Sequence, residues 1–347
     1  MRKKKRKKIR TVIKRSLVIL AGLLLLLGIV LSWMRFGFIK KNVWSLSIYT
    51  GSDPYSFSPH PLVKKHPVLQ ASDVVDVPAF FLADPFMVQH NNTWFMFFEV
   101  FNKSSQQGDI GLATSQDGVV WRYEKIVLDE PFHLSYPCVF KWKDCFYLVP
   151  ESRGAHSVRL YKASEFPYRW AFVAELLTGD YADPSLIFKD GRWWLFVLKP
   201  GDKLALYYAG DLQGPWTEHP GSPLITGDKK ISRPGGRLTM FREKIIRYAQ
   251  MGVPTYGSAL RVFQIDELTT TTYREHELPQ SPILSGSGKG WNATGMHHID
   301  PHHIKDTEWI ACVDGKTRVK VFDGKIRIDR MVQKVKKIFG QGEKLEE

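Results

Sequence analysis

The sequence predicts an all-β fold, a five-bladed β-propeller, preceded by a single N-terminal transmembrane helix. A proline-containing hairpin pattern occurs five times, and helical periodicity is nearly absent between residues 43 and 323. These two observations indicate the propeller. A third, an uncharged apolar run near the N-terminus, indicates the membrane helix. With 347 residues, of which 44% are hydrophobic, the chain is long enough to bury a core of this size.

The N-terminus divides into a basic and an apolar segment. Residues 1–15 contain ten Lys and Arg and no acid, whereas residues 16–34 contain no charged residue. Nineteen helical residues reach across a hydrocarbon core about 30 Å thick. Because the basic excess comes first and no small-residue cleavage site follows, we expect an uncleaved signal anchor in a single-pass membrane protein. Residues 1–15 would be cytoplasmic, and the propeller extracytoplasmic or lumenal.

The propeller is predicted over residues 71–322, between two segments of other composition. Residues 35–70 are interpreted as a linker, in which the alternating stretch 42–51 is a candidate strand to close the last blade against the first. Residues 323–347 form a basic amphipathic tail with apolar residues spaced for one helix face. That tail either lies on an anionic membrane surface or packs on the propeller.

The repeated pattern consists of a polar residue, a Pro, a short apolar run, a turn and an aromatic-rich run. The prolines occupy positions 85, 137, 184, 234 and 301, with spacings of 52, 47, 50 and 67 residues. Pro in a sheet is confined to edges or to the first residue of a strand, so each copy is interpreted as a β-hairpin. Further short strands follow each hairpin. Four strands per unit of about 50 residues, five times over, are typical of a five-bladed propeller.

The charge distribution restricts the class of molecule that the protein is expected to bind. The net charge is +14, but the positive charge lies at the two ends and leaves the predicted propeller mildly acidic. This distribution argues against nucleic acid as a partner. The three cysteines fit no framework of paired disulfides.

Equivalent positions on the hairpins predict two rings of polar residues at one mouth of the channel. The residues before the prolines form the first ring: Asp84, Tyr136, Asp183, Arg233 and Asp300. The ends of the second hairpin strands form the second ring: Glu99, Glu151, Lys199, Gln250 and Asp314. For any one of these residues, a solvated strand end or a turn is a sufficient explanation. The set as a whole predicts a site for hydroxyl-rich and partly anionic ligands.

The carboxyl groups in these rings suit the chemistry of glycosidic bonds. Such chemistry commonly uses one protonated carboxyl group as acid and one carboxylate as base or nucleophile. Carboxylates crowded together raise one another's pKa, which can keep one of them protonated near neutral pH.

Several motifs resemble known families. The Asp-Pro pairs that open blades one and three, with SQDGVVW at the end of blade one, resemble the propellers of glycoside hydrolase family 43 and of the invertase and levansucrase group. The wider set resembles more closely the N-terminal domain of plant glucosamine inositolphosphorylceramide transferase and its stand-alone relatives, over residues 43–315. Motifs that carry this second resemblance are ADPF, HLSYPCVF, YLVPES, EFPYRW, GRWWLF and SRPGGR.

The resemblance implies that the protein acts on a glycan or glycolipid. It implies that Asp84 is a general base, or a nucleophile as in the invertase group, and that Asp183 tunes the acid's pKa or holds sugar hydroxyl groups. Where the hydrolases have a catalytic Glu in blade four, this chain has SRPGGR, so either Glu151 or Glu99 is the candidate acid. Arg233 and Lys199 are expected to bind a phosphate or uronate group. The substrate-binding candidates are Tyr136, Arg233, Lys199, Asp300 and Asp314.

Two hypotheses about function remain open. The first is a membrane-anchored enzyme that transfers or hydrolyses a sugar on a polysaccharide or glycolipid. The second is a non-catalytic glycan-binding propeller that assists a separate glycosyltransferase. The sequence predicts no cofactor. The resemblance to family 43 implies a structural metal ion in the channel, with His302 as a minor candidate ligand.

Overall fold

A computed structural model describes the backbone of residues 2–322 and the side chains of residues 13–32 and 39–321. One compact unit is Val43–Thr317, and a second unit contains the N-terminal helix. The predicted amphipathic tail, residues 323–347, lies outside the described residues.

The N-terminal helix is α1 (Arg2–Gly37). Within it, Ile13–Ser32 has a mean hydropathy of 2.4, and none of the side chains in this stretch is buried. Its 20 residues are long and apolar enough to cross a membrane. This stretch is therefore a candidate membrane span, and it overlaps the predicted anchor at residues 16–34.

The unit Val43–Thr317 is an all-β five-bladed propeller, which confirms the predicted fold class. Blade one contains β3 (Ala79–His90), β4 (Thr93–Asn102), β5 (Gln107–Ser115) and β6 (Arg122–Leu128). Blade two contains β7 (Ser135–Trp142), β8 (Cys145–Glu151), β9 (Ser157–Glu165) and β10 (Arg169–Thr178). Blade three contains β11 (Ala182–Lys189), β12 (Arg192–Lys199), β13 (Lys203–Ala209), β14 (Thr217–Glu218) and β15 (Ile225–Thr226).

Blades four and five differ from this simple order. Blade four contains β16 (Arg233–Pro234), β17 (Thr239–Phe241), β18 (Lys244–Gln250), β19 (Ala259–Leu268), β20 (Tyr273–Glu277) and β21 (Leu284–Ser285). Blade five contains, in sheet order, β22 (Ile299–Lys305), β23 (Glu308–Phe322), β1 (Phe38–Asp53) and β2 (Ser56–Pro59). Short 3-10 turns lie at Ala71–Asp73, Arg153–Ala155 and Gly290–Asn292.

The N-terminal part of the propeller unit completes blade five. The alternating stretch 42–51 lies within β1, which pairs with β23, and β2 adds a second strand at the outer edge. The compact unit therefore begins within the segment interpreted as a linker, before residue 71. Apolar side chains from both ends of the unit Val43–Thr317 belong to one buried cluster, which includes Leu46, Ile48, Ile310 and Cys312.

A left-handed bulge marks the start of the hairpin in blades one to three. The residue before Pro has a positive φ in each: 52° at Asp84, 48° at Tyr136 and 51° at Asp183. Non-glycine residues seldom adopt this conformation outside turns, and where they do, they cluster at functional sites. Blade five has no such bulge, and Asp300 lies directly opposite Cys312 in the ladder. The positions before Pro are therefore not all equivalent.

Candidate functional site

Buried carboxyl groups from four blades meet at one mouth of the channel. Asp84 and Asp183 occupy the bulges of blades one and three. Glu99 lies in the second half of β4, and Glu151 is the last residue of β8. Asp314 joins them from β23. The exposed fraction is only 5% for Asp84, 6% for Glu99 and 0% for Asp314. A carboxylate buried this far from water needs a hydrogen-bonding or oppositely charged partner, and without one the carboxyl group keeps its proton.

Asp183 is held as a paired carboxylate. The Arg233 Nε donates to Asp183 Oδ2, and the Arg233 Nη2 lies 3.3 Å from Oδ1. Gln250 Nε2 donates to Asp183 Oδ2 at 2.7 Å. The backbone N–H of Asp183 donates to Glu151 Oε2 at 3.2 Å, and Arg233 Nη2 lies 3.6 Å from the same oxygen. The positive charge of Arg233 is therefore engaged within the cluster.

Asp84 lies beside a different set of groups. The carboxylate of Asp314 accepts backbone N–H groups of Asp84 at 3.2 Å, His297 at 3.1 Å and His298 at 3.2 Å. His297 Nδ1 lies 2.7 Å from Asp314 Oδ2 without hydrogen-bond alignment, and its ring stacks on Trp44 at 3.9 Å. Asp84 Oδ1 accepts no hydrogen bond and lies 3.7 Å from His297 Nε2 and 3.8 Å from His298 Nδ1.

The environment shifts the carboxyl pKa values upward. Burial raises the pKa of Asp84 to about 7. Burial and the adjacent charge of Asp183 raise the pKa of Glu151 to about 8. Burial and the charge of Asp84 hold the pKa of Glu99 well above its usual value. At neutral pH the site therefore contains protonated carboxyl groups beside a carboxylate, without any acid from blade four.

His133 is a further neighbour of Glu99 that the sequence did not indicate. Its Nδ1 accepts the backbone N–H of Gly108 at 2.8 Å, so its Nε2 carries the proton and faces Glu99 Oε1 at 3.4 Å. Burial lowers the pKa of His133, which favours this neutral form. A Cβ at Gly108 would lie 2.3 Å from the carbonyl oxygen of Leu134, so this approach requires glycine.

Comparison with known proteins identifies the family. Residues 40–316 match the family described as Glucosamine inositolphosphorylceramide transferase 1, N-terminal. The chain belongs to this family. It is 34% identical over 300 residues to glucosamine inositolphosphorylceramide transferase 1 of Oryza sativa subsp. japonica, covering 79% of this chain and 40% of the rice protein. Identity to the Arabidopsis thaliana protein of the same name is 32% over 301 residues, covering 80% and 39%. The chain thus spans about two fifths of these relatives.

Solved structures with the same fold include carbohydrate-active enzymes. A putative glycoside hydrolase from Parabacteroides distasonis superposes with a TM-score of 0.57 at 12% identity, covering 75% of this chain and 97% of that one. A beta-1,2-mannobiose phosphorylase from Listeria innocua superposes with a TM-score of 0.56 at 12% identity, covering 78% and 97%. At this identity the likeness shows the propeller fold alone.

In this member of the transferase N-terminal family, most of the predicted site residues lie together. All four catalytic candidates belong to the cluster, as do Arg233, Gln250 and Asp314. Three substrate-binding candidates do not take part in it: Tyr136, Lys199 and Asp300.

Tyr136 is buried between blades. Its hydroxyl lies 2.7 Å from Ser185 Oγ, donates to the Gly236 carbonyl oxygen at 3.0 Å and accepts the Gly236 N–H at 2.6 Å. The Tyr136 hydroxyl thus joins blades two, three and four, and its role in substrate binding stays a prediction.

Asp300 and Lys199 are displaced from the rings by register. Without a bulge, Asp300 reaches deeper into the channel, where it pairs with Arg237 and accepts the Met87 N–H at 2.6 Å. In blade three, Leu198 stands opposite Ala182, at the position that Glu99 holds in blade one. Strand alternation turns Lys199 to the other face, 2.9 Å from Glu218 Oε1. Neither residue reaches the mouth.

One group of buried residues could hold a metal ion. Among residues 13–32 and 39–321, ligand atoms of Asp84, His297 and Asp314 lie within 4.8 Å of one another. Asp314 Oδ1 already accepts two backbone N–H groups, whereas Oδ2 accepts one. His302 Nε2 lies 3.0 Å from Asp300 Oδ2, but that carboxylate is neutralised by Arg237. A structural ion in the channel stays a prediction.

Proposed function

We propose that this protein is a membrane-anchored carbohydrate-active enzyme that acts on a glycosidic bond of a glycolipid or polysaccharide at the propeller mouth. The observation that carries the proposal is the pair Asp84 and Glu151, whose pKa values are raised to about 7 and about 8 in one buried cluster. A base that ionises near neutral pH beside an acid that keeps its proton is the arrangement that glycosidic bond chemistry needs.

The roles follow from the surroundings of each carboxyl group. Asp84, near His297, is the base, because a lone pair on its Oδ1 is free of protein donors. Glu151 is the acid, because its side chain is 12% exposed and because burial and the neighbouring Asp183 raise its pKa to about 8. Glu99 is the alternative acid, since it belongs to the same cluster and its pKa is raised further.

The names of the relatives suggest the substrate class. The rice and Arabidopsis relatives are named glucosamine inositolphosphorylceramide transferases. By extension, we infer that the ligand here is the sugar or cyclitol head group of a glycolipid, with a membrane polysaccharide as the alternative. Transfer to a hydroxyl group and hydrolysis by water would use the same two carboxyl groups.

The candidate span suggests how the enzyme is held. The strongly basic residues 1–12 precede Ile13–Ser32, so we infer a cytoplasmic N-terminus and an extracytoplasmic or lumenal propeller. Such an anchor would keep the propeller near membrane-borne glycans.

A second candidate function is non-catalytic glycan binding that assists a separate glycosyltransferase. It is favoured by Arg233, which occupies blade four, where the resemblance to hydrolases implies a catalytic Glu. The guanidinium neutralises Asp183 and lies 3.6 Å from Glu151.

Turnover and binding by substituted full-length protein in nanodiscs separate these functions. Asp84→Asn and Glu151→Gln are assayed on glycolipids and polysaccharides, with and without nucleotide sugars. Matched controls are Asp144→Asn and Glu165→Gln, at carboxyl groups that are 97% and 62% exposed. We expect each site variant to lose at least about 100-fold in turnover and the controls to lose nothing.

Three other outcomes would count against this assignment. Glycan binding without turnover by the unmodified protein would favour the non-catalytic function. Turnover that survives both site substitutions would refute the assigned roles, and the absence of both turnover and glycan binding would refute both functions.

A further inference from the structure

The start of β1 and the end of β23 belong to the same compact unit as the N-terminal helix. β1 and β23 are neighbours in one sheet. Thr50 Oγ1 donates to the Trp309 carbonyl oxygen at 3.0 Å. Lys316 Nζ lies 5.2 Å from the centre of the Trp44 ring, so the two strands run antiparallel. The first residues of β1 therefore lie beside the last residues of β23.

We call these strand ends, residues 38–42 and 318–322, the basic ribbon. Its exposed side chains are Lys40, Asn42, Arg318 and Lys320. Its half-buried side chains are Ile39, Lys41, Val319 and Val321. Side chains alternate along a strand, and the exposed residues stand an even number of positions from Trp44 or Lys316, whose side chains lie against each other. The exposed residues therefore share one face, which carries three cations and no carboxyl group.

The cations on this face are not neutralised by the described part of the protein. Among residues 13–32 and 39–321, no ion pair is formed by Lys40, Arg318 or Lys320. The surrounding sequence adds further positive charge. Residues 33–42 contain three basic residues and no acid, and residues 318–339 contain eight basic and two acidic residues. The exposed face of the basic ribbon is therefore available to an anionic partner.

The candidate membrane span determines which anion is within reach. The span ends at Ser32, eight residues before Lys40. α1 continues to Gly37 at about 1.5 Å per residue and β1 follows at about 3.3 Å per residue, so Lys40 lies at most about 17 Å from the end of the span. Head groups occupy about 5–8 Å beyond the hydrocarbon core, and charges act over about 8 Å in physiological salt. The chain thus keeps the basic ribbon within reach of lipid head groups.

We propose that the exposed face of the basic ribbon binds the anionic phospholipid head groups of the leaflet from which the span emerges. Charge complementarity and the short chain between the span and the ribbon both favour this partner. The contact requires no pocket, because Lys and Arg side chains near a membrane are attracted to its surface charge as a whole. The proposal rests on the candidate membrane span, and it is independent of the chemistry at the propeller mouth.

The test places a dye next to the exposed cations of the full chain in nanodiscs. Asn42→Cys provides the attachment site for bimane, and Cys145→Ser removes the one native cysteine that is not buried. Nitroxide-labelled head groups quench the dye on contact, so the quenched fraction reports contact between the basic ribbon and lipid. The host lipid is either phosphatidylcholine alone or an equal mixture of phosphatidylcholine and phosphatidylglycerol.

We expect more quenching in the mixed lipid than in phosphatidylcholine alone. Each Lys or Arg near an anionic surface strengthens the attraction by about fivefold, so Lys40→Gln alone should lower the contact constant about fivefold. Lys40→Gln, Arg318→Gln and Lys320→Gln together should abolish the additional quenching. About 1 M salt should do the same with the unmodified ribbon, because it screens the charges. Arg318→Lys keeps the charge and should keep the quenching.

The matched control removes three exposed cations that lie in the blades. These substitutions are Lys103→Gln, Lys125→Gln and Lys203→Gln. The control chain has the same net charge as the triple ribbon variant and should keep the additional quenching.

Five outcomes would overturn the proposal. The first is quenching that phosphatidylglycerol does not increase, and the second is an increase that survives about 1 M salt. The third is an equal loss in the ribbon and control variants, and the fourth is a loss in Arg318→Lys. The fifth is binding of soluble polygalacturonate to the ribbon without a response to phosphatidylglycerol, which would assign the face to an acidic polymer.

Discussion

The most informative stability prediction concerns Arg237, which lies in the channel below the mouth. Its Nε donates to Asp300 Oδ1, and its Nη2 donates to the Val139 carbonyl oxygen at 2.8 Å and lies 3.3 Å from the Met87 carbonyl oxygen. The Arg237 side chain is 17% exposed and that of Asp300 is 0% exposed. One guanidinium thus joins four of the five blades. Arg237→Met should remove this link without removing much apolar volume.

The expected loss comes mainly from the charge left behind. With Arg237 gone, Asp300 would be a buried carboxylate without its ion-pair partner, which typically costs about 3–5 kcal/mol in the free energy of unfolding. For a propeller of this length, that loss corresponds to a fall in Tm of roughly 6–15 °C. The arginine charge holds the pKa of Asp300 well below its usual value, so its contribution is present at neutral pH. It is lost as the pH falls below the unfolded carboxyl value of about 4.

Thermal and urea unfolding at pH 7 measure the effect. The double variant Arg237→Met with Asp300→Asn should recover most of the loss, because no buried charge remains and Asn can still accept the Met87 N–H. Arg169→Met is the control, since Arg169 and its partner Glu165 are 77% and 62% exposed and such pairs contribute about 0–1 kcal/mol. Equal losses for Arg237→Met and Arg169→Met, or a double variant no better than the single one, would refute the reasoning.

Three further predictions concern the site and its supports. Glu99→Gln should raise the Tm more at pH 8 than at pH 5. The raised pKa keeps a proton on Glu99 in the native state that the unfolded state loses, so this carboxyl group destabilises the native state more as the pH rises. An equal Tm shift at both pH values would contradict this prediction. Gly236→Ala should cost at least about 2 kcal/mol in urea unfolding, since its φ is 143° and its Cβ would lie 1.8 Å from the Ile299 carbonyl oxygen; a near-neutral result would refute that geometry. Trp44→Ala should cost about 3–5 kcal/mol by the same measurement and release the stacked His297 ring, whereas a loss below about 1 kcal/mol would contradict its buried position.

The sequence pattern predicts the hairpins and the carboxyl cluster for a physical reason. Pro at the start of a strand and turn residues at its end are local signals, and in blades one to three they repeat with the same register. Asp84, Glu99, Glu151 and Asp183 therefore lie together as expected. Each of them depends only on the geometry of its own hairpin.

The predictions fail where a position depends on register or on distant parts of the chain. Alternation shows which residues share a face, but it does not show whether a bulge inserts one extra residue, and this decides the position of Asp300. For Lys199, the predicted position in the strand was wrong by one residue, and an error of one residue places a side chain on the opposite face of the sheet. The pairing of β1 with β23 also joins residues far apart in sequence, but the alternating stretch 42–51 predicted it as a closing strand.

The residues around the carboxyl groups were the least predictable. The sequence pattern did not place His297 and His298 at the mouth. In the structure they contact Asp314 and Asp84 instead. Both histidines directly precede the fifth hairpin. Together with the absence of a bulge in blade five, this position would have placed them at the mouth. Trp44, which covers His297, comes from the closing strand β1.

The pH dependence of kcat/KM for turnover of the glycan substrate tests the central claim most directly. If Asp84 must be ionised and Glu151 protonated, the profile is bell-shaped, with apparent limbs near pH 7 and pH 8 that belong to the coupled pair. Glu151→Gln should remove the alkaline limb from the residual activity. A profile that is flat from pH 5 to pH 9, or an alkaline limb that persists in Glu151→Gln, would contradict the account.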